Sequence, residues 1–187
     1  MAKNKDNMLT QGLSGSMGPL LTFRQRAGQT IVAKKRRETP ASNSAKAVAI
    51  RERFRTALTY AMIAIKDPEL KEYYKSKAAP GQSAFNLAVK DGFTPPKIVS
   101  VNAAKYHGAV ADSISVQVLS SFKVVSVKVS IKGSDGVLIE EGDAVQQPTT
   151  VDWLYTATKA NSEPTGSKVG AVATGLPGNF SSLELSV

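Results

Sequence analysis

Val125-Ser126-Val127-Lys128-Val129-Ser130-Ile131-Lys132, followed by Gly133-Ser134-Asp135-Gly136, decides how the C-terminal half of this chain is read. Apolar and polar residues alternate without a break, which puts the valines and the isoleucine on one face of a half-buried strand. The glycine-bounded tetrapeptide predicts a hairpin turn into Val137-Leu138-Ile139. Working outward, Ser113-Ile114-Ser115-Val116-Gln117-Val118 alternates in the same way, and Ile98, Val99 and Val101 open a strand after Pro95-Pro96. Downstream, Trp153 to Thr158, Lys168 to Thr174 and Phe180 to Val187 complete about seven short strands after residue 97.

Upstream the period changes. Residues 44–66 place Ala45, Val48, Ala49, Phe54, Ala57, Leu58, Ala61, Met62 and Ile65 at three- and four-residue steps, which predicts a helix capped by Ser42 or Ser44. Asp67-Pro68-Glu69 starts a second helix carrying Leu70, Tyr73 and Tyr74. A third, from Gln82 or Ser83 to Lys90, carries Phe85, Leu87 and Val89, with Asp91-Gly92 as its expected stop. Leu20 to Arg37 reads as a β-hairpin around Ala27-Gly28-Gln29, and Glu38 to Ser44 as a linker. A lone hairpin is marginal in water, so this one needs a partner surface. Residues 1–18 are polar and glycine-spaced; Gly12, Gly15 and Gly18 suit close packing or a bent arm rather than a dinucleotide loop.

The 187 residues carry a net charge of +9. Residues 1–56 hold twelve cations against Asp6, Glu38 and Glu52, and the remainder is neutral, so the whole excess lies in the first third. That asymmetry points to docking on a polyanion or burial in an assembly. Arg24, Arg26, Lys34, Lys35, Arg36 and Arg37, with Arg51 and Arg55 four apart on the first helix, are the candidate contacts for nucleic acid or assembly; the hairpin is expected to bring its arginines near the basic run.

Absent cysteine excludes a disulfide framework, thiolate metal sites and cysteine nucleophiles, and the one histidine, His107, excludes multi-histidine metal sites. No metal site, cofactor or catalytic residue is assigned, and no enzymatic activity is expected. Residues 165–170 fail the spacing of a phosphate loop. Asp135, Glu140, Glu141 and Asp143 read as a solvated acidic edge, Trp153 as core, and Tyr73, Tyr74 and Phe85 as helix core with base stacking the rarer fate. No apolar run is long enough to cross a membrane, and no secretory signal is recognised, so synthesis in the cytoplasm, with a virion or other assembled particle as destination, is the expectation.

The seven-strand spacing is the pattern of an immunoglobulin-like sandwich. Residues 113–187 resemble the bacterial immunoglobulin-like domains of surface and phage structural proteins, through the stretches at 125–129, 133–136 and 153–157 and through Ala173-Thr174-Gly175-Leu176-Pro177-Gly178-Asn179, where Gly175 stands in place of the expected Asp. Residues 12–90 resemble a widespread family of small basic bacterial proteins of unknown function, through Gly12, Gly15 and Gly18, Arg24 and Arg26, Lys34 to Arg37, Arg51-Glu52-Arg53-Phe54 and Phe85-Asn86. The expectation is an α+β chain: a basic arm and β-hairpin over 1–40, a helical unit over 41–95, and an immunoglobulin-like β-sandwich over 97–187. Its expected role is a non-enzymatic structural subunit, virion- or filament-like, partnered by copies of itself or a larger protein assembly. The alternative is a nucleic-acid clamp at residues 20–55.

Overall fold

Alternating residues pair into sheets only where each strand finds neighbours in register, and the computed structural model shows which do. It describes residues 2–4, 8–26, 28–35, 40, 42–148 and 150–187. In chain order its elements are β1 (Ala2–Asn4), β2 (Gly15–Met17), β3 (Leu21–Arg26), β4 (Gln29–Lys34), α1 (Ala45–Ala64), α2 (Pro68–Ser76), α3 (Ala84–Phe93), β5 (Lys97–Lys105), β6 (Ser113–Leu119), β7 (Val124–Lys132), β8 (Leu138–Asp143), β9 (Val145–Gln146), β10 (Asp152–Thr156), β11 (Lys168–Gly175) and β12 (Phe180–Ser186). The chain is thus α+β, with antiparallel sheets.

Two four-stranded sheets, ordered β5-β6-β10-β9 and β12-β11-β7-β8, fill residues 97–186. Their inner faces share one apolar core, a β-sandwich-like arrangement. Register explains it. Val127, Val129 and Ile131 lie opposite Ala173, Ala171 and Val169, and all six are fully buried. In the other sheet Trp153 and Tyr155 pair with Val116 and Ile114.

The acidic edge is only partly one. Glu140 pairs with the inward-facing Ile131, so alternation turns it into the core, where it is 5% exposed. Its Oε2 accepts from the Thr158 amide (2.9 Å), the Thr158 hydroxyl (2.7 Å) and the Lys159 amide (3.1 Å). Burial, with Glu140 alongside, pushes the Tyr155 hydroxyl up to about 12.

The helices form a second core of Ala61, Ala64, Tyr74, Leu87 and Ala88, closed by Phe122 from the β6–β7 connection. Ser44, Asp67 and Ser83 cap the three helices through their side chains. Asp91-Gly92 does not stop α3, which continues to Phe93. Gly92 instead lets α1 approach, since a Cβ there would lie 3.1 Å from the Ala57 Cα. Asp91 is 2% exposed and accepts a 2.7 Å hydrogen bond from the Tyr74 hydroxyl, itself 2.8 Å from the Tyr60 hydroxyl. One residue from each helix thus joins a buried polar chain.

This unit sits on the loop end of the sandwich. Asn179 Nδ2 donates to the Asp91 carbonyl (2.6 Å), the Lys123 amide donates to the Tyr73 hydroxyl (2.9 Å), and Leu176 packs on the helical core. Gly175 stands where a Cβ would collide with Asn179 Oδ1.

The N-terminal strands form a third sheet, ordered β1-β4-β3-β2. The hairpin strands β3 and β4 therefore find their neighbours in β1 and β2. Arg26 pairs with Gln29 across a turn in which Gly28 has φ +73°, and Ala27 lies outside the described residues. The Gly12 amide (3.2 Å) and Gln25 Nε2 (2.8 Å) both donate to the hydroxyl of buried Thr30, which folds the preceding segment onto the sheet. Among the described residues, Phe23 and Thr30 are its only buried side chains, and neither core cluster includes a residue of this sheet.

Burial pushes the Asp91 carboxyl up to about 6, against the Tyr74 hydrogen bond and Lys77, which act to lower it. A carboxyl raised on folding binds more protons folded than unfolded, so its contribution is full below the unfolded value and is lost as pH rises through about 6. Stability of the helical unit is expected to fall by on the order of 2–3 kcal/mol between about pH 4 and pH 7 from this group. Asp91→Asn, which retains an acceptor for Tyr74, is expected to flatten that dependence in denaturation followed by helical circular dichroism. An unchanged slope would contradict the assignment.

Candidate functional site

The described cations singled out in the sequence lie in two places, the β3–β4 hairpin and α1, rather than in one cluster. Cross-strand pairing puts Arg24 opposite Ile31 and Thr22 opposite Ala33, so Thr22, Arg24, Arg26, Ile31 and Ala33 share one face of the N-terminal sheet. That face lines a hollow of about 400 Å³. Lys34 pairs with Leu21, which places it at the open end of the hairpin and on the opposite face from Arg24 and Arg26. Alternation thus starts Lys34 from the other face, yet at the strand's end it lines the same hollow as Arg24 and Arg26. Lys35 leaves the sheet, its amide donating to the Leu20 carbonyl at 2.7 Å. Arg36 and Arg37 lie outside the described residues.

Arg51 and Arg55 are exposed on the second and third turns of α1. Arg53, between them in sequence, is held: Nη2 donates to the Phe93 carbonyl (3.2 Å) and the guanidinium lies 5.1 Å from the Phe93 ring centroid. The described ion pairs are Lys75–Glu72, Lys128–Glu141 and Lys132–Glu184, all outside the basic third. Arg24, Arg26, Lys34, Lys35, Arg51 and Arg55 thus present exposed side chains with no ion pair among the described residues, an arrangement suited to contact with an acidic surface.

The remaining polar residues are engaged structurally. His107 is exposed, and the Asp112 carboxylate beside it accepts from the backbone amides of His107 (2.7 Å) and Ala109 (2.9 Å), which hold its carboxyl below the usual range. Tyr74 is fully buried, and Tyr73 and Phe85 pack against the helical core, so their rings close the unit rather than offer a stacking platform. Trp153 is buried between the sheets. Among the described residues no cluster of three or more His, Asp or Glu side chains is arranged to hold a metal, and no helix is long and apolar enough to cross a membrane.

Two features escaped the sequence reading. One is a groove of about 540 Å³ between α1 and the β11–β12 turn, lined by Ala49, Arg53, Phe93, Pro95 and the exposed Phe180 among others. The other is the N-terminal half of α1, where Ile50 and Phe54 remain about half exposed. Helical periodicity marks these residues as one face, but a period says nothing about whether a neighbour reaches far enough to cover it.

No family model and no curated protein matches the chain. A crystal structure of an engineered protein is similar over 58% of this chain and 30% of its own, at 17% identity and a TM-score of 0.33. This chain therefore spans less than a third of that protein's length, and the fold is argued from its own strands.

Because Arg24 and Arg26 are exposed and make no ion pair with another described residue, the double substitution Arg24→Gln/Arg26→Gln is expected to change stability by no more than about 0.5 kcal/mol. Glu140→Ala, which strips three donors of a buried acceptor, is expected to cost about 3 kcal/mol. Urea denaturation of the two variants side by side checks both expectations.

Proposed function

We propose that this protein is a non-enzymatic structural subunit of a larger assembly, virion- or filament-like, with the N-terminal basic sheet ordered against neighbouring subunits and an immunoglobulin-like sandwich displayed. The observation that carries this reading is the N-terminal sheet itself. Four short strands with only Phe23 and Thr30 buried among the described residues, and with exposed cations that make no ion pair among those residues, gain too little from burial to offset the entropy of ordering them. A partner surface supplies the missing burial and the missing negative charge.

The immunoglobulin-like assignment is supported by the strand order. The sheet β5-β6-β10-β9 faces the sheet β12-β11-β7-β8, with the chain crossing between them at the β6–β7, β8–β9 and β10–β11 connections, as in such sandwiches. The chain then divides into a basic arm and sheet, a helical unit, and a sandwich. The second is seated on the third through Phe122, Tyr73 and Asn179.

A nucleic-acid clamp at residues 20–55 is the second reading. The arginine face of the N-terminal sheet favours it, since Arg24 and Arg26 line a hollow and make no ion pair among the described residues. Lys34 joins them in lining that hollow, while Arg51 and Arg55 stand apart from it on α1.

Size-exclusion chromatography with light scattering and absorbance at about 0.15 M and about 1 M salt separates the two. The structural reading expects particles free of nucleic acid, or their formation on adding the partner. Monomers carrying nucleic acid that is shed at the higher salt would favour the clamp. A salt-indifferent monomer whose N-terminal sheet is as protected from hydrogen exchange as the sandwich would sink both.

A further inference from the structure

Residues Ala47, Ile50, Phe54, Ala57, Ala61 and Ala64 follow one another along α1 at steps of three, four, three, four and three, the spacing of a heptad seam. The C-terminal half of that seam is covered: Ala57, Ala61 and Ala64 are buried where α3 packs, with Gly92 against Ala57 and the Phe93 ring edge-on to Phe54 at 6.3 Å. α3 then ends. At about 1.5 Å per residue, α1 runs about 30 Å and α3 about half of that, so α3 cannot reach the first turns. There Ile50 is 54% exposed, and Phe54, touched by α3 only at its last residue, is 47% exposed.

The positions flanking the uncovered seam are Lys46, Arg51 and Arg53. In a helix pair these neighbour the partner's flanking residues and set its identity by charge. All three are cations. A second copy of α1 would bring like charges together across the seam, and the exposed acidic residues Asp135, Glu141 and Asp143 of a neighbouring copy lie on the edge strand β8 and the turn before it, not beside an apolar helical seam. Nucleic acid would meet the cations but leave the isoleucine and phenylalanine wet.

We propose that the N-terminal half of α1 is a docking face for an amphipathic helix of a partner protein, one with apolar residues along its own seam and acidic residues on both sides of it. The partner helix extends the α1–α3 contact by packing end to end with α3 along the same stripe. The proposal deepens the assembly reading, on which it rests, by naming the chemistry of the neighbour.

The test uses the full chain and a labelled three-heptad peptide with Leu at seam positions and Glu at flanking positions. The matched peptide with Lys in place of Glu, and a single-stranded DNA of equal charge, serve as controls. Fluorescence anisotropy is expected to give saturable binding of the Glu peptide and none of the Lys peptide. Ile50→Ser is expected to weaken it at least tenfold with helical circular dichroism unchanged. Arg51→Gln, exposed and without a described ion pair, is expected to weaken it severalfold and to reduce its salt dependence. Failure of the Glu peptide to bind, binding indifferent to Ile50→Ser, or DNA binding that Ile50→Ser and Arg51→Gln abolish together overturns the proposal. Light scattering of the same samples keeps the two readings apart: particles that form while the peptide fails reject the helix partner and leave the assembly standing.

Discussion

The two inner faces of the sandwich are held to each other by side chains with no freedom to be anywhere else. Ile114 and Val116 on one sheet and Val127, Val129, Ile131 and Val169 on the other are wholly removed from water, and each belongs to a strand whose alternate residues face out. Burial of each such side chain is worth roughly 1.5–3 kcal/mol, and a one-residue slip would expose a whole strand's set at once. The same constraint explains the placement of Glu140. Fixed by register opposite Ile131, it must enter the core, and it is stabilised there by the amides and hydroxyl of the chain at 158–159.

The helical unit borrows from that framework. Its core is small, alanine-rich on the α1 side, and is completed by Phe122 and Leu176 from two sandwich loops. Its polar interior, Tyr60–Tyr74–Asp91, connects all three helices, and the Asp91 carbonyl receives Asn179 from the sandwich. Small residues allow the close approach: Ala57 meets Gly92, and Gly175 leaves room for Asn179. The helices and sandwich therefore share side chains at their boundary, while the two cores remain distinct clusters.

The basic third differs in kind. Its sheet is tied by backbone pairing and by the hydrogen bonds to Thr30, with little apolar burial behind it. Backbone hydrogen bonds exchanged for water contribute modestly, so order in such a sheet leans on whatever surface it meets. Its described cations and the half-covered seam of α1 lie in the same third of the chain and, among the described residues, lack partners of two kinds, acidic and apolar. That coincidence ties the charge asymmetry to the exposed helix face and makes an acidic, amphipathic neighbour the economical account of both.

Much of this was legible from residue types alone. Alternation at 113–118 and 125–132 specifies strands because period two suits only a pleated ribbon. Asp67-Pro68 starts a helix because Pro costs nothing at its first turn and Asp accepts its free amides. The charge excess of residues 1–56 is likewise a property of composition. Other features were decided only in three dimensions. Asp91-Gly92 has the chemistry of a stop, yet α3 runs through it because Tyr74 satisfies the aspartate and Ala57 fills the space a side chain would need. Lys34, which alternation assigns to the face away from the arginines, nonetheless lines the same hollow as they do. Whether Ile50 and Phe54 are core or surface depended on where α3 ends. Local periodicity orients a side chain, but only the length and placement of its neighbours determine whether water reaches it.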